Sequence, residues 1–157
     1  MPDTWRSGYG SSVTAAPRPE FDAELKAGLA VVGGMFPPTI TPALLDFMRT
    51  SYASAPIDDL LAQRRIERLD LPVPGHLGDE IVVSVLRPAG LTGPRPGVVY
   101  AHSGGMMFGD RFSGIDLVLD WVDSLGVVLV TVEYRLAPEH PDPYPREDVY
   151  AALEWVA

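Results

Sequence analysis

The sequence predicts an α/β fold with a partly parallel sheet, and three observations carry that expectation. The runs Gly97-Val98-Val99-Tyr100-Ala101 and Val127-Val128-Leu129-Val130-Thr131-Val132 are short and continuously apolar, as strands covered on both faces must be. Between them, Ile115, Leu119 and Val122 form one helical stripe while Asp116, Asp120 and Asp123 form another, so that segment can pack on a sheet and face water at once. Ahead of them the pattern has period two. Glu67, Leu69, Leu71 and Val73 alternate with Arg68, Asp70 and Pro72, and Gly75-His76-Leu77-Gly78 separates them from Ile81-Val82-Val83-Ser84-Val85-Leu86, which reads as an antiparallel hairpin.

Taken in chain order, residues 1–19 are rich in Gly, Ser, Thr and Pro without an apolar face and are expected to form a mobile arm. Phe21, Leu25, Leu29 and Val32 recur at helical spacing and predict an amphipathic helix ending near Gly33-Gly34. A second helix is expected from Thr41, with Pro42 in its first turn and Leu44, Leu45, Met48 and Tyr52 on one face. After the hairpin, the strand, helix and strand of residues 97–132 read as a right-handed parallel crossover unit with Ser113 as the helix cap. Residues 145–157 predict a last helix that starts at a proline and turns Val149, Leu153 and Val156 to one side.

Composition narrows the partners. At 157 residues and 46% hydrophobic, the chain is long enough for one compact domain with a core. A formal charge of −9 argues against a nucleic-acid partner, which needs a basic footprint. With no cysteine there is no disulfide framework, thiolate nucleophile or cysteine-ligated metal, and three histidines give a metal site little support. No signal pattern opens the sequence and no apolar stretch approaches membrane-spanning length, so a soluble cytoplasmic protein is the default expectation.

The chemistry concentrates in two segments. His102-Ser103-Gly104-Gly105-Met106-Met107-Phe108-Gly109-Asp110 follows the first buried strand. A Gly pair there lets the backbone adopt conformations closed to residues with a Cβ and exposes N–H groups to whatever binds. Gly104 and Gly105 are therefore candidate donors to a developing oxyanion, and Met106, Met107 and Phe108 are candidates to line an acyl pocket. Glu133-Tyr134-Arg135-Leu136-Ala137-Pro138-Glu139-His140-Pro141 follows the second buried strand. Arg135 is expected to pair with Asp148 or Glu147 beneath the Gly loop, because a buried guanidinium needs a carboxylate.

The first segment resembles the His-Gly-Gly-Gly loop of hormone-sensitive-lipase-like bacterial esterases in the α/β-hydrolase superfamily, with Ser103 in place of the first Gly. The second is similar to the Tyr-Arg-Leu-Ala-Pro-Glu signature of the same group, at a distance that fits one helix and one strand. Asp148 and Tyr150-Ala151-Ala152-Leu153-Glu154-Trp155 match the helix that follows. The resemblance covers about residues 69–157 and implies the N-terminal half of an α/β-hydrolase: residues 1–19 as the arm, 20–62 as lid helices, and 63–157 as the first half of the hydrolase domain. It further implies a serine-type carboxylic-ester hydrolase working through an acyl-enzyme on uncharged small-molecule esters of short to medium acyl length, with no cofactor or metal. In that scheme His102 shapes the loop and is not the base. The nucleophile elbow, Asp and His would lie beyond residue 157, leaving the sheet with four strands and one long apolar edge unpaired. The chain alone is then expected to be inactive and aggregation-prone, and to need its C-terminal half or a complementary chain.

Other readings compete. Ala101-His102-Ser103-Gly104-Gly105 also reads as an Ala-x-Ser-x-Gly elbow, with Ser103 as nucleophile and His140 downstream, although an elbow should run straight into a helix. A truncated, non-catalytic half that acts only as a binding partner is the alternative from another class. His76 is expected to be a solvated turn residue, His140 to fix its loop, and the Asp116, Asp120 and Asp123 stripe to be a solvated helix face. Trp5 and Tyr9 on the arm are candidates to close over a substrate, and a disordered terminus accounts for them equally well.

Overall fold

A computed structural model describes residues 19–34 and 39–157. The arm, with Trp5 and Tyr9, lies outside these residues except for Pro19. The chain falls into two units, Met1–Thr39 and Ile40–Ala157.

In the first unit, α1 spans Ala23–Val32. The Asp22 carboxylate accepts from the N–H groups of Glu24 and Leu25 at 2.9 and 3.2 Å, an N-cap that satisfies two donors the helix cannot. The helix closes at Gly33, whose N–H donates to Leu29 O. Its apolar face of Phe21, Leu25, Leu29 and Val32 is exposed.

The second unit opens with α2 (Pro42–Ser51), which starts at the anticipated proline and buries Leu45 and Met48. A single-turn helix, α3 (Ile57–Leu61), follows. Five residues are too few to show a period, so it leaves no signature in the sequence, yet Ile57 joins the core. Then come β1 (Ile66–Pro74), a 3-10 turn (His76–Gly78), β2 (Glu80–Pro88), β3 (Gly97–Ala101), α4 (Asp116–Leu125), β4 (Val128–Glu133) and α5 (Tyr144–Val156).

The sheet order is β1-β2-β4-β3. The hairpin pairs Leu69 with Val85 and Leu71 with Val83, and β2 runs antiparallel to β4. The pair β3 and β4 is parallel, with Val99 opposite Val130, as the crossover reading requires. Period two splits the apolar runs between two faces. Leu86 and Leu129 meet Ile57, Ile115, Leu119 and Val122 on one side. Val83, Val130 and Val132 meet Val73, Tyr134 and Ala152 on the other. Each such side chain, fully buried, contributes about 1.5–3 kcal/mol, which is why both helices stay docked. β3 has a strand neighbour on one side only among the described residues, and it is a short edge of five residues rather than a long one.

Three expectations need correction. Ser113 does not cap α4: its Oγ accepts from Asp110 N at 3.0 Å and its own N–H donates to Asp110 O, so it closes a turn and the helix starts three residues later. The buried face of α5 is Pro145, Asp148 and Ala152, whereas Leu153 and Val156 are exposed. His76 is half-buried, with its ring edge-on to Tyr144. The Asp116, Asp120 and Asp123 stripe is an exposed helix face, as expected, and Arg64 reaches its last two members at 2.7 and 2.6 Å.

Candidate active site

The Gly loop begins where β3 ends. His102 is buried, and its ring stacks on Tyr134 at 4.2 Å with an interplanar angle of 9°. The Tyr134 hydroxyl donates to His102 O at 2.7 Å, which ties the loop entry to the end of β4. Burial, with help from the Glu133 charge, pushes that phenol up to about 12, so it stays a donor. His102 Nδ1 lies 2.8 Å from Ser103 O, while Nε2 is buried without a partner among the described residues.

The loop then turns through three residues with positive φ: Gly104 at 125°, Gly105 at 61° and Met106 at 62°. Only Gly fits the first, because a Cβ on Gly104 would stand 1.9 Å from Phe108 O. Gly104 O accepts from the N–H groups of Met107 and Phe108 at 3.1 and 3.2 Å, and Met106 O accepts from Ala137 N at 2.8 Å. The carbonyls of Gly104 and Met106 are thus engaged. Among the described residues, the N–H groups of Gly104 and Gly105 have no acceptor. Gly105 is exposed and lines a cavity of about 340 Å³ with Ala101, His102, Met106, Tyr134 and Val149.

The three apolar residues after the Gly pair part company. Met106 lines that cavity, Met107 lies in a cleft with Leu45 and Pro138, and the Phe108 ring packs on Tyr52 at 4.9 Å.

A second structural centre joins β4 and α5 to the hairpin turn. Asp148 is fully buried and accepts from Arg135 Nε at 2.9 Å, Arg135 Nη2 at 2.7 Å, Arg135 N at 3.1 Å and His76 N at 2.8 Å. Burial alone would raise its carboxyl, but the Arg135 guanidinium and the two amides outweigh it and hold the group below the usual carboxylate range. Arg135 also donates to His76 O and Asp79, and it covers the Tyr144 ring at 4.6 Å. The pair therefore fixes the hairpin turn rather than the underside of the Gly loop, where the sequence reading had put it.

That underside is held by a residue the sequence did not single out. Arg49, in the last turn of α2, donates through Nε to Met107 O at 3.0 Å and through Nη2 to Ala137 O at 3.1 Å. It also grips both oxygens of Glu139 at 2.8 and 2.7 Å. The hydrogen bond from Arg49 brings the Glu139 carboxyl down to about 2. Two residues after Tyr52, Ser54 N donates to Asp110 Oδ2 at 2.8 Å.

Ser103 is not followed by a helix, the next one starting at Asp116, so it lacks the strand-turn-helix setting of an elbow. His140 donates its N–H to Leu136 O and holds its loop against Tyr144. Among the described residues no three His, Asp or Glu side chains cluster as a metal site would need, and no helix is long and apolar enough to cross a membrane.

A family model described as alpha/beta hydrolase fold matches residues 98–157. The chain is 34% identical over 135 residues to esterase LipI of Mycobacterium tuberculosis, an alignment covering 76% of this chain and 42% of that protein. Among solved structures it is similar to a bacterial heroin esterase, with a TM-score of 0.65 and 34% identity, covering 86% of this chain and 42% of the other. It is also similar to brefeldin A esterase, a bacterial homologue of human hormone-sensitive lipase, with a TM-score of 0.56 and 32% identity over 90% of this chain and 38% of the other. The chain spans less than half the length of each of these relatives. A sheet in the order β1-β2-β4-β3, a Gly turn at the end of β3 and these likenesses show an N-terminal part of the α/β-hydrolase fold, similar to that of bacterial esterases.

Proposed function

We propose that this chain carries the oxyanion-binding part of a serine-type carboxylic-ester hydrolase. Attack on an ester carbonyl turns its oxygen into an oxyanion, and donors fixed in advance on that oxygen lower the barrier by about 3 kcal/mol each. The observation that carries the reading is the turn at Gly104 and Gly105, where the carbonyls of Gly104 and Met106 are bonded within the protein and both glycine amides are left without an acceptor among the described residues. His102 shapes the turn through its stack on Tyr134. Met106 flanks the cavity where an uncharged acyl group of short to medium length would lie. Of the lid expected in residues 20–62, α2 touches the Gly loop through Arg49, as a lid must. The nucleophile, its histidine and the supporting acid come from residues outside this sequence, reached across the open side of β3.

The test joins the 157-residue chain to a segment that supplies the Gly-x-Ser-x-Gly elbow, Asp and His, and follows hydrolysis of p-nitrophenyl butyrate. The joined protein is expected to turn over, to lose turnover when the elbow Ser is changed to Ala, and to surpass the unjoined chain by orders of magnitude. Serine-dependent turnover by the 157-residue chain alone would contradict the reading. So would a folded but inert joined protein.

A further inference from the structure

We propose that Arg49 positions the oxyanion-binding loop from the lid side: one guanidinium holds the Met107 and Ala137 carbonyls together, so that α2 and the Gly104 and Gly105 donors move as one. The inference rests on reading that turn as the oxyanion site, and it assigns the turn's geometry to a residue that reaches no substrate.

The two accepting carbonyls belong to different loops, one after β3 and one after β4, and among the described residues the backbone joins those loops by a single bond, Ala137 N to Met106 O. That bond lies next to the positive φ of Met106, a conformation that disfavours any side chain and needs outside support. Arg49 supplies it on both sides, with Nε on Met107 O and Nη2 on Ala137 O. Glu139 fixes the guanidinium plane by a two-point contact, which leaves the remaining N–H directions aimed at the carbonyls. An ammonium cannot reproduce this, because it has no planar fork to span two acceptors and a carboxylate together. Two further contacts run from the chain after α2 to the same loop, Tyr52 on Phe108 and Ser54 N on Asp110, so a displacement of α2 pulls the loop at three points.

Amide exchange followed by NMR on the 157-residue chain reads the loop directly. In Arg49→Met, and nearly as much in Arg49→Lys, the N–H groups of Phe108 and Ala137 are expected to exchange at least tenfold faster, while the amides between β2 and β4 stay within twofold. Glu139→Gln, which keeps one acceptor but loses the two-point contact, is expected to speed loop exchange by less than Arg49→Met does, because the bonds from Arg49 to the two carbonyls remain possible. In the joined hydrolase, Arg49→Met is expected to lower kcat at least tenfold with KM within twofold. Unchanged exchange at Phe108 and Ala137 would overturn the proposal, as would equal acceleration in the sheet, which marks a loss of general stability only. A rise in KM at constant kcat would also overturn it. The exchange comparison does not depend on hydrolysis, so an inert joined protein would remove the proposed function while the loop measurement still decides whether Arg49 sets that turn.

Discussion

The two neighbouring glycines of the loop should respond to the same substitution very differently. At Gly105 an added Cβ meets nothing within 4 Å, so Gly105→Ala carries only the left-handed backbone penalty of about 1–2 kcal/mol. At Gly104 the added Cβ would lie 1.9 Å from Phe108 O and 2.8 Å from Phe108 C. Backbone cannot yield that distance locally, so the turn must open. Opening it gives up the bonds from Met107 N and Phe108 N to Gly104 O and from Ala137 N to Met106 O. At about 1 kcal/mol each, the loss is about 3 kcal/mol, added to the conformational penalty. Urea unfolding of the chain, with a slope of about 2 kcal/mol per molar, should then show the midpoint falling by about 0.5–1 M for Gly105→Ala and about 2–2.5 M for Gly104→Ala. Equal shifts, or a larger one at Gly105, would refute the geometry. In the joined hydrolase the same order should hold for kcat: a modest fall for Gly105→Ala, which keeps its N–H, and about 100-fold or more for Gly104→Ala, which displaces a donor.

Other predictions concern the supports. Asp148→Asn leaves the Arg135 guanidinium without its buried countercharge and should cost about 3 kcal/mol in urea unfolding, while Arg135→Met combined with Asp148→Leu should recover most of that loss; a double variant no better than the single one would refute it. Because the folded carboxyl lies below its ordinary 3.8, the unfolded chain binds the extra proton first, so stability from this pair is present above that value and is lost as pH falls through the folded pKa. The Asp148→Asn penalty should accordingly hold steady from about pH 8 to about pH 5 and shrink below about pH 4. Tyr134→Phe strands His102 O and should cost about 2 kcal/mol, measured the same way.

Much of this fold was legible in the residues because its patterns run long enough to repeat. The nine-residue strands of the hairpin show period two, and the apolar runs of β3 and β4 announce strands with both faces covered. Features decided by a single polar contact were not legible. Ser113 has the chemistry of a cap, but Asp110 competes for it and wins. The face of α5 was misplaced because a fully buried Asp148 is invisible to an apolar period and makes sense only once Arg135 is seen against it. Gly104 and Gly105 could be singled out by composition and place, since nothing else follows a buried strand with two adjacent residues lacking Cβ. Arg49 could not. Its partners lie 58, 88 and 90 residues away, and beside an apolar stripe it looks like any solvated arginine.

The most direct test of the central claim is a crystal structure of the joined hydrolase with its nucleophilic serine phosphonylated by an uncharged p-nitrophenyl phosphonate, a stable likeness of the tetrahedral intermediate. The account predicts a phosphonyl oxygen within about 3 Å of the amide nitrogens of both Gly104 and Gly105, with the turn unchanged. A phosphonyl oxygen bound elsewhere, with those two amides donating to the protein's own carbonyls, would contradict it.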